Sequence, residues 1–119
     1  MRRDDERLKD ILDAIIAIER YTIQGRQSFD AQELIQVWMV HHFQIIGEAA
    51  NALSPERLSR YPPVPWRQII GLRNMLVHEY FRIDRQAIWD ITESDLPLLK
   101  STVEQMLSDF SDDNITPKS

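Results

Sequence analysis

The chain contains no cysteine among its 119 residues. Neither a disulfide framework nor a thiolate metal site can form without cysteine, and catalysis by a cysteine nucleophile is excluded. This composition fits a reducing compartment, so we predict a cytoplasmic protein with no bound metal and no cofactor.

Long apolar runs are also missing. Residues 1–7 carry charges of both signs and lead into no continuous apolar segment of the kind that a signal peptide needs. The longest uncharged stretch, Leu34–Gly47, contains two histidines and two glutamines and is too short to span a bilayer. We therefore predict a protein that is neither exported nor embedded in a membrane.

Glycine is scarce, with three residues, and none belongs to a glycine-rich phosphate-binding loop. Strand-like alternation is absent, whereas apolar residues recur at helical spacing through most of the chain. A hydrophobic content of 43% suffices for the core of one domain of this size. We predict an all-α antiparallel bundle of four to five helices over residues 1–110, followed by a flexible tail at 111–119.

The first half of the chain holds two long helical patterns. The first begins at Asp4 or Asp5 and stops at Gln24–Gly25, and the second runs from Ser28 or Asp30 to about Leu53. The second is apolar around much of its circumference, which places it at the centre of the bundle or against a second subunit. Small residues near its end would let another helix approach closely: Gly47, Ala49, Ala50 and Ala52.

Proline delimits the helices of the second half. Ser54 is the predicted cap of a short helix that cannot last beyond Tyr61, because three of the next four residues are proline. A third long helix opens at Pro65 and continues through Val77. Asp84 is the predicted cap of the next helix, and Pro97 separates that one from a last helix with an apolar stripe.

Charge is distributed unevenly along the chain. The net charge is -5, yet residues 57–85 hold six arginines against one glutamate and one aspartate, a local net of +4. Arginine is the cation best suited to bidentate phosphate contacts. The pattern predicts one basic surface on an acidic body, able to bind a nucleic acid through its phosphates.

Three chemically capable side chains lie within eight residues of this stretch: Arg73, His78 and Tyr80. Histidine, with a reference pKa of about 6.5, can take a 2'-hydroxyl proton or protonate a leaving oxygen at neutral pH. Arginine can hold a phosphate and stabilise the charge of a pentacoordinate transition state. The pair supports metal-independent RNA cleavage, although a histidine at a helix C-terminus and an arginine on a solvated face remain a plain structural alternative.

Helix geometry limits how this motif can work within one chain. On an ideal helix Arg73, Val77 and Tyr80 share a stripe, whereas Arg73 and His78 lie about 140° apart and converge poorly unless the helix ends near His78. A second copy across a twofold axis would double the motif and bring two sets together. We therefore predict a homodimer.

The other histidines and the tryptophans fit packing better than chemistry. His41 and His42 are adjacent and diverge by about 100° on a helix, so they cannot clasp one metal ion and are predicted to lie in the core or an interface. Trp38, Trp66 and Trp89 lie on apolar stripes and are expected to pack inside the protein, although tryptophan can also stack on bases.

The segment Arg73-Asn74-x-x-x-His78-x-Tyr80 resembles the RxxxxHxY signature of HEPN-domain ribonucleases, specifically the HepT-like toxins of toxin–antitoxin modules. Residues 45–50, 65–74 and 78–81 resemble the same family in order and spacing, as do Ile83, Asp84 and Trp89. The resemblance covers the chain from about Trp38 to Leu99.

This resemblance implies a helical homodimer with both motifs facing one cleft and a metal-independent endoribonuclease activity. It implies that Arg73 is the phosphate and transition-state residue and His78 the acid/base. It also implies a toxin of a type VII-like module whose partner, an MNT-type nucleotidyltransferase antitoxin, transfers AMP to Tyr80. A bulky anionic adduct there would compete with the RNA phosphate for the cleft.

Two further residues are candidates with open alternatives. Asn74 orients a phosphate or His78, or is simply a helix-surface amide. Glu48 pairs with Arg73 from the second helix, or is a solvated or structural glutamate. The competing hypothesis for the whole chain is a non-catalytic helical subunit that binds a nucleotidyltransferase and uses the motif for contact alone.

Overall fold

The computed structural model describes residues 3–78 and 82–115, with residues 112–115 described by their backbone alone. Within these ranges the chain forms helices and one isolated β-bridge, so the predicted all-α fold is confirmed. The helices are α1 (Asp4–Thr22), α2 (Arg26–Ala31), α3 (Glu33–Ala52), α4 (Pro55–Ser59), α5 (Trp66–Ile70), α6 (Leu72–Leu76), α7 (Arg85–Ser94) and α8 (Leu96–Ile115). No helix in these ranges combines the length and the apolar character that a membrane crossing needs.

The first and third helices pack against each other in antiparallel orientation. Near the end of α1, the indole Nε1 of Trp38 donates a hydrogen bond of 2.9 Å to the carbonyl of Ala17. Near its start, Arg7 lines a groove together with Ile45. Early residues of α1 therefore meet late residues of α3, and the apolar stripes of both helices close on a common core.

The last helix completes the bundle and is also antiparallel to α1. Lys100, early in α8, donates to Glu19 near the end of α1 over 2.9 Å. At the other end Arg57 binds Asp4 over 2.9 Å and stacks over the ring of Phe110, 4.9 Å from its centroid. The largest fully buried side chains are Phe29, Phe43, Leu8, Ile11, Ile15, Ile18, Met39, Ile46, Leu72, Leu76, Ile88 and Leu99.

One predicted helix is divided in two. The sequence predicted an unbroken helix from Ser28 or Asp30 to Leu53, but Gln32 adopts an extended conformation and separates α2 from α3. The buried side chain of Gln36 donates to the carbonyl of Phe29 over 3.0 Å. This side chain satisfies a carbonyl that a continuing helix would have bonded through its backbone, so the chain can turn there at little cost.

Side-chain hydrogen bonds hold α4 and the proline-rich connector that leads from it to α5. Ser54 caps α4 as predicted, since its hydroxyl accepts a hydrogen bond from the backbone amide of Arg57. The phenol of Tyr61 donates to a carboxylate oxygen of Asp109 over 2.5 Å, and Trp66 donates to the carbonyl of Tyr61 over 3.0 Å. Burial and the nearby carboxylate together raise the pKa of Tyr61 to about 12.

The segment from Pro65 through Val77 is also divided, so the prediction of a single helix there is wrong. It consists of α5 and α6 with Gly71 between them, and α6 ends at Leu76. Val77 is extended and forms an antiparallel bridge with Ile83. The backbone amide of Asp84 donates to the carbonyl of Leu76 over 2.8 Å, and this bond replaces a helical one at the end of α6.

Close packing on a glycine sets the position of α5. A Cβ atom built on Gly47 of α3 would lie 3.0 Å from the carbonyl oxygen of Ile69 and 3.1 Å from that of Ile70. The prediction that small residues in this part of α3 admit another helix is therefore confirmed at Gly47. Because α5 leads into α6 through one residue, this contact also places Arg73.

The last two helices start as the sequence predicted. Asp84 caps α7 through a 3.0 Å hydrogen bond from the backbone amide of Ala87. Pro97 lies in the first turn of α8, where a missing backbone N–H leaves no helical bond unmade. The helix continues past residue 110, where the sequence placed the start of the tail, to Ile115.

Candidate active site

Arg73 is exposed on α6 and faces a groove between α6 and α3. The groove has a volume of 130 Å³ and is lined by Gln44, Gly47, Glu48, Asn51, Ile70 and Arg73. In the described part of the chain the guanidinium of Arg73 forms no ion pair, so its charge is available to an anion.

Glu48 lines the groove of Arg73 without pairing with it. The carboxylate of Glu48 accepts a hydrogen bond of 3.2 Å from the amide of Gln44, one helical turn earlier. No ion pair joins Glu48 to Arg73, so the pairing that was one alternative for Glu48 does not form. Its side chain is exposed, which agrees with the second alternative of a solvated glutamate.

His78 lies outside the helix that carries Arg73. Since α6 ends at Leu76 and Val77 is extended, the predicted helical stripe does not continue from Arg73 to Val77, and the angle of an ideal helix does not apply to His78. The backbone amide of His78 donates to the carbonyl of Arg82 over 2.8 Å, beside the Val77–Ile83 bridge. This paired backbone holds the imidazole at the surface, where 49% of the side chain is exposed.

The imidazole of His78 has a carboxylate partner. Its Nε2 atom lies 3.2 Å from Oδ2 of Asp84. The amide of Ala87, above all, and the hydrogen bond from His78 lower the pKa of the Asp84 carboxyl below its usual value. Asp84 is therefore ionised at neutral pH and serves both the helix and the histidine.

Asp84 was predicted from the sequence as a helix cap only, and its contact with His78 was not predicted. The two residues are six apart in sequence, and residues at that spacing do not face each other on a helix, so helical periodicity could not indicate this contact. Two β-branched residues, Val77 and Ile83, flank residues 78–82, and this was the signal for a tight antiparallel pairing.

The remaining motif residues contribute less to the described geometry. Asn74 is exposed on α6, and its side chain forms no hydrogen bond with the residues that the structure describes. Tyr80, the predicted acceptor of AMP, lies outside the described residues, as does its neighbour Glu79.

The predicted packing roles of the tryptophans are confirmed. Trp38 and Trp66 each donate to a backbone carbonyl, as given above, and Trp89 is 9% exposed and packs on Phe29 with ring centroids 5.3 Å apart.

The adjacent histidines of α3 also have structural contacts. His42 lies 2.8 Å from the carbonyl of Trp38 through Nδ1, and its ring contacts that of Trp38. His41 is exposed at the edge of an apolar groove. No three histidine, aspartate or glutamate side chains within residues 3–78 and 82–111 are grouped as a metal site would need.

The arginine-rich stretch is divided by internal pairing. Arg57 binds Asp4, Arg60 binds Glu56 over 2.9 Å, and Arg85 donates to the carbonyl of Asp30. The prediction of one basic surface built from all six arginines is therefore too broad. Within this stretch, exposed arginines without an ion pair to a described residue remain at four positions: Arg67, Arg73, Arg82 and Arg85.

Most of the chain matches a known protein family. The family model described as "Ribonuclease HepT-like" matches residues 11–106, a range that includes the groove, Arg73, His78 and Asp84. The chain belongs to the HepT-like ribonuclease family. The resemblance seen in the sequence is thereby confirmed.

Two named relatives match this HepT-like chain over most of their own length. The Methanocaldococcus jannaschii protein "Putative RNase MJ1380" is 34% identical over 98 residues, covering 82% of this chain and 90% of its own. The "Probable ribonuclease HepT" of Thermococcus cleftensis is 30% identical over 106 residues, covering 88% and 96% respectively. No solved structure matches the chain at a significant level.

Proposed function

We propose that this HepT-like protein is a metal-independent endoribonuclease in which Arg73 binds the scissile phosphate and His78 transfers the proton. The observation that carries the proposal is the exposed Arg73, which lines a groove and forms no ion pair with a described residue, together with an exposed histidine two residues beyond the end of the same helix. Family membership and the printed names of the relatives, which describe ribonucleases, support the same chemistry.

The proposed reaction needs two groups. His78 accepts the proton of the 2'-hydroxyl while the 2'-oxygen forms a bond to phosphorus and the bond from phosphorus to the 5'-oxygen breaks. The leaving 5'-oxygen takes up a proton, which a protonated histidine or water supplies. Arg73 donates to the non-bridging oxygens, where negative charge increases in the transition state. The products are a 2',3'-cyclic phosphate and a 5'-hydroxyl end.

The ribonuclease proposal is tested by incubating the purified protein with total RNA in the presence of EDTA and identifying the new ends. We expect cleavage with cyclic phosphate and 5'-hydroxyl termini. Intact RNA would leave the non-catalytic binding subunit as the better hypothesis. Cleavage that requires an added divalent cation, or that leaves 5'-phosphate ends, would contradict the proposed chemistry.

We also propose that the active form is a homodimer assembled on one exposed face of α3. Residues spaced three and four apart place six exposed or half-buried side chains on one stripe of this helix: Leu34, Val37, His41, Gln44, Glu48 and Asn51. The first three line an apolar groove of 560 Å³, and the last three line the groove of Arg73. A second copy on this stripe would cover the apolar half and place both Arg73 grooves at the interface.

Charged substitutions on the apolar half test the dimer. Leu34 is 84% exposed and Val37 48% exposed, so Leu34→Asp with Val37→Asp should leave the fold intact and disfavour burial against a second copy. We expect light scattering coupled to size exclusion to report a dimer for the wild type and the single-chain mass of 14.0 kDa for the variant.

Leu98 provides the matched control, because it is 40% exposed on α8 and lines neither groove. Leu98→Asp should remain dimeric. A monomeric wild type, or a double variant that stays dimeric, would remove the α3 interface from the proposal.

We further propose that the protein is the toxin of a type VII-like module and that a nucleotidyltransferase antitoxin silences it through Tyr80. In this step the Tyr80 oxygen attacks the α-phosphorus of ATP, the bond to the β-phosphate oxygen breaks, and pyrophosphate and the phenolic proton leave. The adduct would place an anion beside Arg73 and His78 and compete with RNA. This proposal rests on the resemblance of the motif, and Tyr80 lies outside the described residues.

Intact-mass measurement tests the Tyr80 proposal. After co-expression with an MNT-type nucleotidyltransferase we expect one or more AMP adducts on the wild type and none on Tyr80→Phe. The other tyrosines are engaged elsewhere, since Tyr61 donates to Asp109 and Tyr21 packs on Trp38. Adducts that persist on Tyr80→Phe, or a wild type without any, would exclude Tyr80 as the acceptor.

A further inference from the structure

Asp84 forms hydrogen bonds beside the motif through its backbone and through both of its carboxylate oxygens. Its backbone amide donates to the carbonyl of Leu76 over 2.8 Å, and its Oδ1 atom accepts from the amide of Ala87 over 3.0 Å. Its second carboxylate oxygen, Oδ2, lies 3.2 Å from Nε2 of His78. One side chain thus joins the end of α6, the start of α7 and the candidate acid/base.

The contact determines which nitrogen of His78 carries the proton. A carboxylate accepts hydrogen bonds and has none to donate, so a neutral imidazole must present Nε2–H to Asp84. The amide of Ala87 and the histidine both lower the pKa of Asp84, which keeps it in this acceptor form at neutral pH. The other ring nitrogen, Nδ1, then holds the free lone pair.

Backbone hydrogen bonds fix the position from which the side chain of His78 extends. The amide of His78 donates to the carbonyl of Arg82, and the neighbouring Val77 and Ile83 form the bridge. Both His78 and Asp84 therefore belong to backbone segments that hydrogen bonds hold in place. Their separation follows from the fold and does not depend on a bound substrate.

We infer that Asp84 is the positioning residue of this site, holding neutral His78 as the Nε2–H tautomer so that Nδ1 exchanges the proton with RNA. This inference rests on the proposed ribonuclease function. In the reaction, Nδ1 takes the 2'-hydroxyl proton as the new bond to phosphorus forms and the 5'-oxygen departs. Asp84 stabilises the resulting imidazolium and stays ionised throughout.

Two substitutions separate this role from the helix cap. Asparagine and serine cap helices about as well as aspartate, so Asp84→Asn and Asp84→Ser should keep the wild-type melting temperature. Asparagine lacks the charge, and serine is too short to reach Nε2. We expect both to lower kcat by about 10- to 100-fold with little change in KM, a part of the roughly 10²- to 10⁴-fold that a positioned acid/base contributes.

A spectroscopic measurement makes the test independent of activity. ¹⁵N NMR of the imidazole in the full chain at mildly alkaline pH, where an imidazole is neutral, should show Nε2–H in the wild type. In Asp84→Asn the amide can donate to Nε2 instead, so the spectrum should shift toward the Nδ1–H tautomer. A wild type in the Nδ1–H tautomer would overturn the inference whether or not RNA is cleaved.

The two proposals fail in different ways. If the wild type and Asp84→Asn cleave RNA at equal rates, Asp84 has no positioning role and the ribonuclease proposal stands. If the wild type leaves RNA intact, the ribonuclease function is lost and with it the catalytic role of Asp84. The NMR spectra would in that case still report whether Asp84 sets the tautomer.

Discussion

Alanine at Arg73 or at His78 should nearly abolish RNA cleavage while leaving the fold intact. Loss of one donor to a developing oxyanion costs about 10²- to 10³-fold in kcat, and loss of a positioned acid/base costs about 10²- to 10⁴-fold. Both side chains are exposed, and in the described part of the chain neither supports the core, so the melting temperature should not fall. Rates on a labelled RNA in EDTA, measured beside thermal unfolding, check both statements.

Arg67 is the matched control for Arg73. It is exposed on α5, close in sequence to the motif, and forms no ion pair with a described residue. If the effect of Arg73 were only the attraction of a surface cation for RNA, Arg67→Ala would reduce cleavage equally, and both losses would vanish at low salt. We expect Arg67→Ala to retain most of the activity. Wild-type rates in Arg73→Ala and His78→Ala would refute the assignment.

A mixture of the two inactive variants, Arg73→Ala and His78→Ala, tests whether each active site is shared between two subunits. In a mixed dimer whose sites each combine arginine from one copy with histidine from the other, one site contains both native residues. Activity should then return when Arg73→Ala and His78→Ala are refolded together. If each subunit supplies a complete site by itself, the mixture stays as inactive as its components.

Valine at Gly47 should have the second large effect, because it would force α5 away from α3. The added Cβ atom would meet two backbone carbonyl oxygens at 3.0 and 3.1 Å, and backbone cannot rotate aside as a side chain can. Overpacking of this kind costs about 1–3 kcal/mol. Replacing glycine within a helix returns up to about 1 kcal/mol for alanine and less for a β-branched residue, so the clash prevails.

The same substitution should lower cleavage by the protein that remains folded. Ile69 and Ile70 form the end of α5, and one residue separates them from α6, the helix that carries Arg73. A shift of α5 therefore moves the guanidinium relative to His78, and small displacements of a positioned group are costly in catalysis. Denaturant unfolding and single-turnover rates at a temperature well below unfolding measure the two effects separately.

The other two glycines supply controls of opposite kinds. At Gly71 a Cβ would lie 3.5 Å from the carbonyl oxygen of Arg67, an ordinary van der Waals contact, so Gly71→Ala should be nearly neutral for stability. Gly25 has a φ of +93° with open space around it, so Gly25→Ala should destabilise the protein through backbone strain alone. Unlike Gly47→Val, it should leave the cleavage rate of the folded protein unchanged. A Gly47 variant as stable and as active as the wild type would contradict the argument.

Local chemistry determined much of this protein before any tertiary structure was considered. Ser54 and Asp84 cap helices as predicted, because a cap needs only a side-chain oxygen and an amide three residues away. Apolar spacing likewise fixed the all-α class, since one buried stripe on each helix leaves a bundle as the packing solution. The motif itself and the family resemblance depended on residue identity and order alone.

Tertiary structure decided where the helices break and what the charged groups do. The long helix breaks at Gln32 because Gln36 reaches back to a carbonyl of α2, and α6 ends at Leu76 because the amide of Asp84 returns to it. Arg57 is neutralised by Asp4, more than fifty residues away. Periodicity and local charge counts contain no information on such contacts, because they join residues whose proximity exists only after the chain has folded.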